Sequence, residues 1–342
     1  MRGYPLEIRL GQGVYQVSGL TVGFDAANSR GSQVTVSALR ILATQPGVTI
    51  ERIPATSTEP VLTINSGIAP ITLEGLGLRG GVDINSVGDS PYLIHSIVNC
   101  HFNGNGRAVR PQGGALLVRS GRVAVSNSTF SNLHATSGGA LALIANVGAG
   151  HHADVNVSDS TFRSNHATQG GAAFVDGGKL TLRASLAEAN EAAQEGGALF
   201  VDRGEAIMGS GTRIMGNRAS RGRAYYLAYG SEADMIYALP APLAHWVPYP
   251  FQCVRYQAPC PRSNPSCSAP DLPDDQQPWN RTRYPELHSQ YVAAMTKGPS
   301  DDDFPFPCAP GKWSDSTTVR SQSRSSCSGP CPSGFFCGAA TH

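Results

Sequence analysis

Two aspartates are the residues best placed, by type and spacing, to do chemistry. Asp176 and Asp202 each lie six residues after the first glycine of a Gly-Gly-Ala segment, Gly170-Gly171-Ala172 and Gly196-Gly197-Ala198. If these segments are copies of one repeat, the carboxylates stack one strand spacing apart, roughly 5 Å. A retaining glycosidase uses that separation, and an acidic pair of this kind also suits Ca2+. The plain alternative is a pair of surface turns, Asp176-Gly177-Gly178 and Asp202-Arg203-Gly204, in which Asp and Gly serve the backbone.

A second set shares one position of the same repeat: His134, His166, Glu191 and Arg218. Stacked imidazoles are metal donors. Beyond Glu191 there is no further ligand in that column, and a column of mixed charge is what a solvated face contains. His151 and His152 fall in a Gly-rich insertion and read as a loop. Cys100 takes the place of Ser128 and Ser160, a small-residue position where a thiol packs rather than reacts. The sequence points to no metal centre and no cofactor.

What must position these residues is the repeat itself. One copy runs from Phe162 through Asn165 and Ala167 to Gly170-Gly171-Ala172, then the apolar Ala173-Phe174-Val175. The copy before it carries Phe130, Ala135 and Gly138-Gly139-Ala140, with Leu133 where Asn is expected. Later copies carry Asn190 with Gly196-Gly197, and Asn217 with Gly222-Arg223. A looser copy holds Phe102, Asn105 and Gly113-Gly114. The glycine pairs begin at 113, 138, 170 and 196, and Gly222 of Gly222-Arg223 continues the series, a period near 25. The runs between them are short, alternate with period two, and are rich in Val, Thr, Ser and Gly, which are poor helix formers. Three short strands per repeat make one coil of a parallel β-helix.

This architecture predicts columns. Phe102, Phe130 and Phe162 form an inward stack, and Asn165, Asn190 and Asn217 an amide ladder at a turn. Val123 with Val155, and Val125 with Val157, face the core. Each glycine pair makes a tight corner at positive φ. Weaker strands at 6–10, 34–36, 48–50, 61–64 and 71–73 extend the pattern towards the N-terminus. The fold class is therefore all-β, a β-helix over 1–236 followed by a Pro- and Cys-rich irregular region.

Composition divides the chain at the same place. Of the 39 Gly, 34 precede residue 237, whereas 17 of the 24 Pro lie from Pro240 onward. Residues 237–307 read as an extended, partly ordered connector, and 308–342 as an incomplete Cys-rich module. Cys253, Cys260, Cys267, Cys308, Cys327, Cys331 and Cys337 crowd the last ninety residues, as disulfides of an oxidising compartment would. Zinc is the rival reading. Sequons at Asn127, Asn156 and Asn280 are candidate N-glycosylation sites, with Asn156 pointing outward between Val155 and Val157. With 26 Lys+Arg against 25 Asp+Glu, no basic patch argues for nucleic acid. Residues 1–8 have no apolar leader and no stretch is a membrane span, so an exported chain would be a piece of a longer protein.

The Phe-x-x-Asn and Gly-Gly-Ala-Leu/Phe repeats over residues 95–228 resemble those of polymorphic outer membrane proteins and related right-handed β-helix, pectin-lyase-like proteins. Cys308-Ala-Pro-Gly311 and Cys327-Ser-Gly-Pro-Cys331-Pro-Ser-Gly-Phe-Phe-Cys337 resemble ephrin-receptor-like Cys-rich modules. Together these resemblances imply an extracellular or cell-surface solenoid, often adhesive, with a stapled stalk. The polygalacturonase-like set of clustered carboxylates with Arg and Lys is not matched here, nor is a lyase constellation. The expected function is thus non-catalytic recognition of a glycan or protein, with membrane attachment only through a portion outside this chain. The rivals are a polysaccharide-cleaving enzyme working through Asp176 and Asp202, and the ectodomain of a larger transmembrane receptor.

Overall fold

A computed structural model describes residues 4–24, 36–66, 69–86, 93–104, 108–145, 153–209, 211–228 and 231–238. It also describes short strands at 245–246, 254–255, 290–294, 298–300, 306–307, 312–313 and 329–330. Among these residues every regular element is a strand. Consecutive coils lie in parallel register: Val123 pairs with Val155 and Val155 with Leu180, as Phe102 pairs with Phe130 and Phe130 with Phe162. The strands gather into a long sheet of 19 strands, a second sheet of eight and a third of five.

One coil shows how sequence sets the path. The strand Ala153–Ser158 belongs to the long sheet, Thr161–Arg163 to the second, His166–Gln169 to the third, and Ala173–Asp176 returns to the long sheet. This is four strands per coil, against the three that the repeat predicts. Coils before residue 90 do have three, for example Ile71–Glu74, Gly77–Arg79 and Val82–Asn85. The fourth strand first appears with Arg110–Gln112, directly before the Gly113-Gly114 corner.

Each bend has its own chemistry. The bend into the second sheet holds a left-handed residue, Asn99, Asn127, Asp159 or Ala184, and the next bend holds Asn132, Ser164 or Ala189. A buried hydroxyl column runs beside the first bend. Ser128 Oγ accepts the Cys100 N–H at 3.1 Å and donates to the Ser126 carbonyl at 2.8 Å; Ser160 Oγ does the same for Ser128 N–H and Ser158. Buried backbone groups at the bends are thereby satisfied from the neighbouring coil.

Inside, Phe102, Phe130 and Phe162 stack with ring centroids 4.8 and 4.7 Å apart and are fully buried. Such a stack adds roughly 1 kcal/mol per pair beyond burial. The amides at the second bend interlock. Asn165 Nδ2 donates to Asn190 Oδ1 at 2.9 Å, and Asn190 Nδ2 to Asn217 Oδ1 at 2.9 Å. Each also donates to a backbone carbonyl, Phe130 for Asn165 and Phe162 for Asn190. The ladder ends at the buried Leu133, whose N–H is taken by Asn165 Oδ1 at 3.1 Å.

The Gly-Gly corners explain themselves residue by residue. The first glycine is left-handed, with φ of 65° at Gly138 and Gly170 and 68° at Gly196. The second has no room for a side chain. A Cβ on Gly139 would strike the Gly171 carbonyl, on Gly171 the Gly197 carbonyl, and on Gly197 the Arg223 carbonyl. At the last coil the position is Arg223, and among the described residues no parallel strand stacks on Tyr225–Leu227. There the chain returns instead: Gly298–Ser300 pairs antiparallel with Tyr225–Leu227, and Gln290–Ala294 with Ser231–Ala238.

Candidate functional site

The richest outward face lies on the third sheet, between the Asn turn and the glycine corner. His134, His166, Glu191 and Arg218 stand in one column because their strands are in register. The imidazoles of His134 and His166 stack at 4.8 Å, and His166 Nδ1 lies 3.7 Å from Glu191 Oε2. Partial burial, and then the neighbouring His166, push the His134 pKa below its ordinary value. A neighbouring column runs through Ser137, Gln169, Glu195 and Arg221. Gln169 Nε2 donates to Glu195 Oε2 at 3.2 Å, and Arg221 Nη1 reaches Glu195 Oε1 at 2.9 Å.

Beside these columns runs a second aromatic stack, outside the Phe and Asn landmarks of the repeat. Phe174, Phe200 and Tyr226 each stand four residues after the first glycine of their corner. Their rings stack at 5.3 and 5.4 Å. They occupy outward positions, yet Phe174 and Phe200 are buried, because they fill the notch left by the glycines. A Cβ on Gly138 would come 3.1 Å from Phe174 Cβ, and one on Gly196 3.0 Å from Phe200 Cβ. The Arg221 guanidinium sits 5.0 Å over the Tyr226 ring and closes this notch at its end. The ring faces are spent on one another, so what the face offers a ligand is its polar columns.

Asp176 ends the strand Ala173–Asp176, and Asp202 follows its partner strand Leu199–Val201. Arg203 binds Asp176 with both ends of its fork, Nε to Oδ1 at 2.7 Å and Nη2 to Oδ2 at 2.9 Å, and its Nε lies 3.8 Å from Asp202 Oδ2. The guanidinium offsets one of the two charges and occupies both oxygens of Asp176, the ones a nucleophile or a cation would need there.

Two buried polar groups escaped the sequence reading. Arg110 is 5% exposed and ties three coils together: it pairs with Asp83 and donates to the Gly113 carbonyl at 2.6 Å and the Thr58 carbonyl at 3.3 Å. Next to it is a cavity of about 10 Å3, bounded by Ser57, Gly104, Leu133 and His134, with room for one water. His95 is 1% exposed, with Nδ1 accepting the Ile71 N–H at 3.2 Å and Nε2 2.5 Å from Ser86 Oγ. Since Nδ1 is the acceptor, Nε2 carries the proton and donates to the serine. A serine nucleophile needs the opposite tautomer. No length or motif flags either group in one sequence; both rest on contacts between coils.

Cys100 is buried, with Sγ 3.4 Å from the Val98 carbonyl, and burial pushes its thiol up to about 11. Asn127 is exposed at a left-handed turn position, and Asn156 is exposed on its strand. Asn280, the cysteines from Cys253 to Cys337, residues 105–107 and His151-His152 lie outside the described residues. Among the described residues no three His, Cys, Asp or Glu side chains gather as metal ligands, and no helix is long and apolar enough to cross a membrane. Comparison of the chain with protein-family models, curated proteins and solved structures returned no match.

Proposed function

We propose that this is a non-catalytic extracellular or cell-surface β-helix protein that recognises a glycan or protein through the lateral face of its third sheet. The observation carrying the proposal is the pair of outward, exposed or half-buried polar columns, His134 to Arg218 and Ser137 to Arg221, repeating hydrogen-bonding groups once per coil. A linear glycan laid along the axis would meet donors and acceptors at that same interval. The repeat resemblance to polymorphic outer membrane proteins supports export, and the Cys-rich end would serve as a stalk. The enzymatic reading is disfavoured by Arg203, which holds both oxygens of Asp176 and lies beside Asp202.

The test is a polysaccharide and glycan panel read for both binding and turnover. The expected result is binding without release of reducing sugar or unsaturated product, weakened at least about tenfold in a Gln169→Ala/Arg221→Ala variant. Turnover that disappears in Asp176→Asn and Asp202→Asn would overturn the proposal in favour of the enzyme.

A further inference from the structure

Three ring stacks run along the solenoid, and two of them serve the fold. Phe102, Phe130 and Phe162 fill the core, and Phe174 and Phe200 fill the notch of the glycine corners. The stack of His134 and His166 does neither, because it stands on the outer face with His134 exposed and His166 half-buried. Among the described residues neither ring makes a hydrogen bond, and the contact of His166 Nδ1 with Glu191 Oε2, at 3.7 Å, is too long to be one. Two imidazoles therefore lie side by side with their nitrogens unspent.

We propose that His134 and His166 together chelate one divalent transition-metal ion, with water in its remaining positions and the Glu191 carboxylate beside it. The nitrogens bound to such an ion lie about 2.0–2.1 Å from it, and so about 3–4 Å from each other. The rings stand 4.8 Å apart and 7° from parallel, so small opposed rotations of two outward side chains bring them into that range. Parallel register has already fixed the two backbones one strand spacing apart, and the second imidazole binds with little further ordering. Partial burial and then the neighbouring ring hold His134 below its ordinary pKa, which keeps its lone pair free at neutral pH. Glu191, one coil on, adds negative charge, while Arg218 stands beyond it in the column and Arg110 is matched by Asp83. Imidazole donors select Zn2+, Ni2+ or Cu2+ over Ca2+ and Mg2+, which take oxygen ligands. The site does not depend on what else the third sheet recognises.

Modification of histidine by diethyl pyrocarbonate at neutral pH, read peptide by peptide by mass spectrometry, tests this in the full chain with Ni2+ as the probe. His134 and His166 should be protected together, with one shared midpoint below about 100 μM, and EDTA should reverse the protection. His101 is exposed on the second sheet, with Gly77 and Thr129 as its neighbours in register, and should stay reactive. His134→Gln should raise the midpoint at His166 at least about tenfold, and His166→Gln should do the same at His134. His101→Gln should change neither, and unaltered circular dichroism checks that each variant is folded. Protection of one histidine that persists unchanged without the other shows only independent surface imidazoles and would overturn the proposal, as would reactivity of both at about 1 mM Ni2+.

Discussion

Replacing Asn190 by Ala puts the amide ladder to a quantitative test. Asn190 is fully buried, and its amide takes part in four hydrogen bonds. Oδ1 accepts from the Asn165 backbone N–H at 3.1 Å and from Asn165 Nδ2 at 2.9 Å. Nδ2 donates to Phe162 O at 3.0 Å and to Asn217 Oδ1 at 2.9 Å. Alanine leaves the Asn165 N–H without its acceptor inside the protein, at a cost of about 1–3 kcal/mol, and the other three bonds contribute about 1 kcal/mol each. The expected loss is about 4–6 kcal/mol, which corresponds to local opening more frequent by about a thousandfold or more. In a stacked repeat each coil is coupled mainly to its neighbours. The extra amide exchange should therefore concentrate in peptides covering the turns at Asn165, Asn190 and Asn217. Asn190→Leu, which copies the native Leu133, refills the volume and should recover little, because Asn165 still lacks its acceptor. Hydrogen exchange read by mass spectrometry, with Asn156→Ala as the exposed control, checks this. If Asn190→Ala and Asn156→Ala exchange alike, the ladder does not support the coil in the way described.

Three further outcomes are expected. Gly197→Ala should lower the midpoint of thermal unfolding followed by circular dichroism, at a cost of at least about 1–3 kcal/mol, because its Cβ meets the Arg223 carbonyl; Arg223→Ala should stay within about 0.5 kcal/mol. His134 has a lowered pKa in the folded chain, so the unfolded chain binds more protons there and its share of stability is lost as pH falls through 6.5 and below; that part of the pH dependence of unfolding should vanish in His134→Gln. Finally, Cys100 should resist alkylation at pH 8 in the folded protein and react on denaturation, as read on its own peptide by mass spectrometry, since its thiol is buried and titrates at about 11.

The fold could be read from the chain because a parallel solenoid writes its neighbours into sequence at a fixed interval. Phe102, Phe130 and Phe162 are 28 and 32 residues apart in sequence and one ring above another in space. The number of strands per coil was harder. A strand as short as Ala135–Ser137, caught between an Asn turn and a glycine corner, has too few residues to show a period. The stack of Phe174, Phe200 and Tyr226 carries a regular spacing too, but outward positions are expected to be polar, and only the missing glycine side chains reveal a notch that shelters them. The candidate site was the least legible part. Asp176 and Asp202 announce themselves by type, whereas the capture of Asp176 depends on which way Arg203 turns, and the Arg110 and His95 contacts join residues up to 52 apart. Such pairings follow from coil stacking and have no local signature.

The glycine corners also act as punctuation. Every second glycine that has a coil stacked beyond it is forbidden a side chain, so a run of Gly-Gly pairs is an instruction to continue, and Gly222-Arg223 is a full stop. From Gly113 onward the length of the solenoid is in this sense spelled at one residue per turn. In-frame duplication of a unit such as residues 171–196 would preserve the instruction at both seams and lengthen the lateral face by one coil. The same unit added after Arg223 would collide with that residue's side chain, and growth there would first require restoring the glycine.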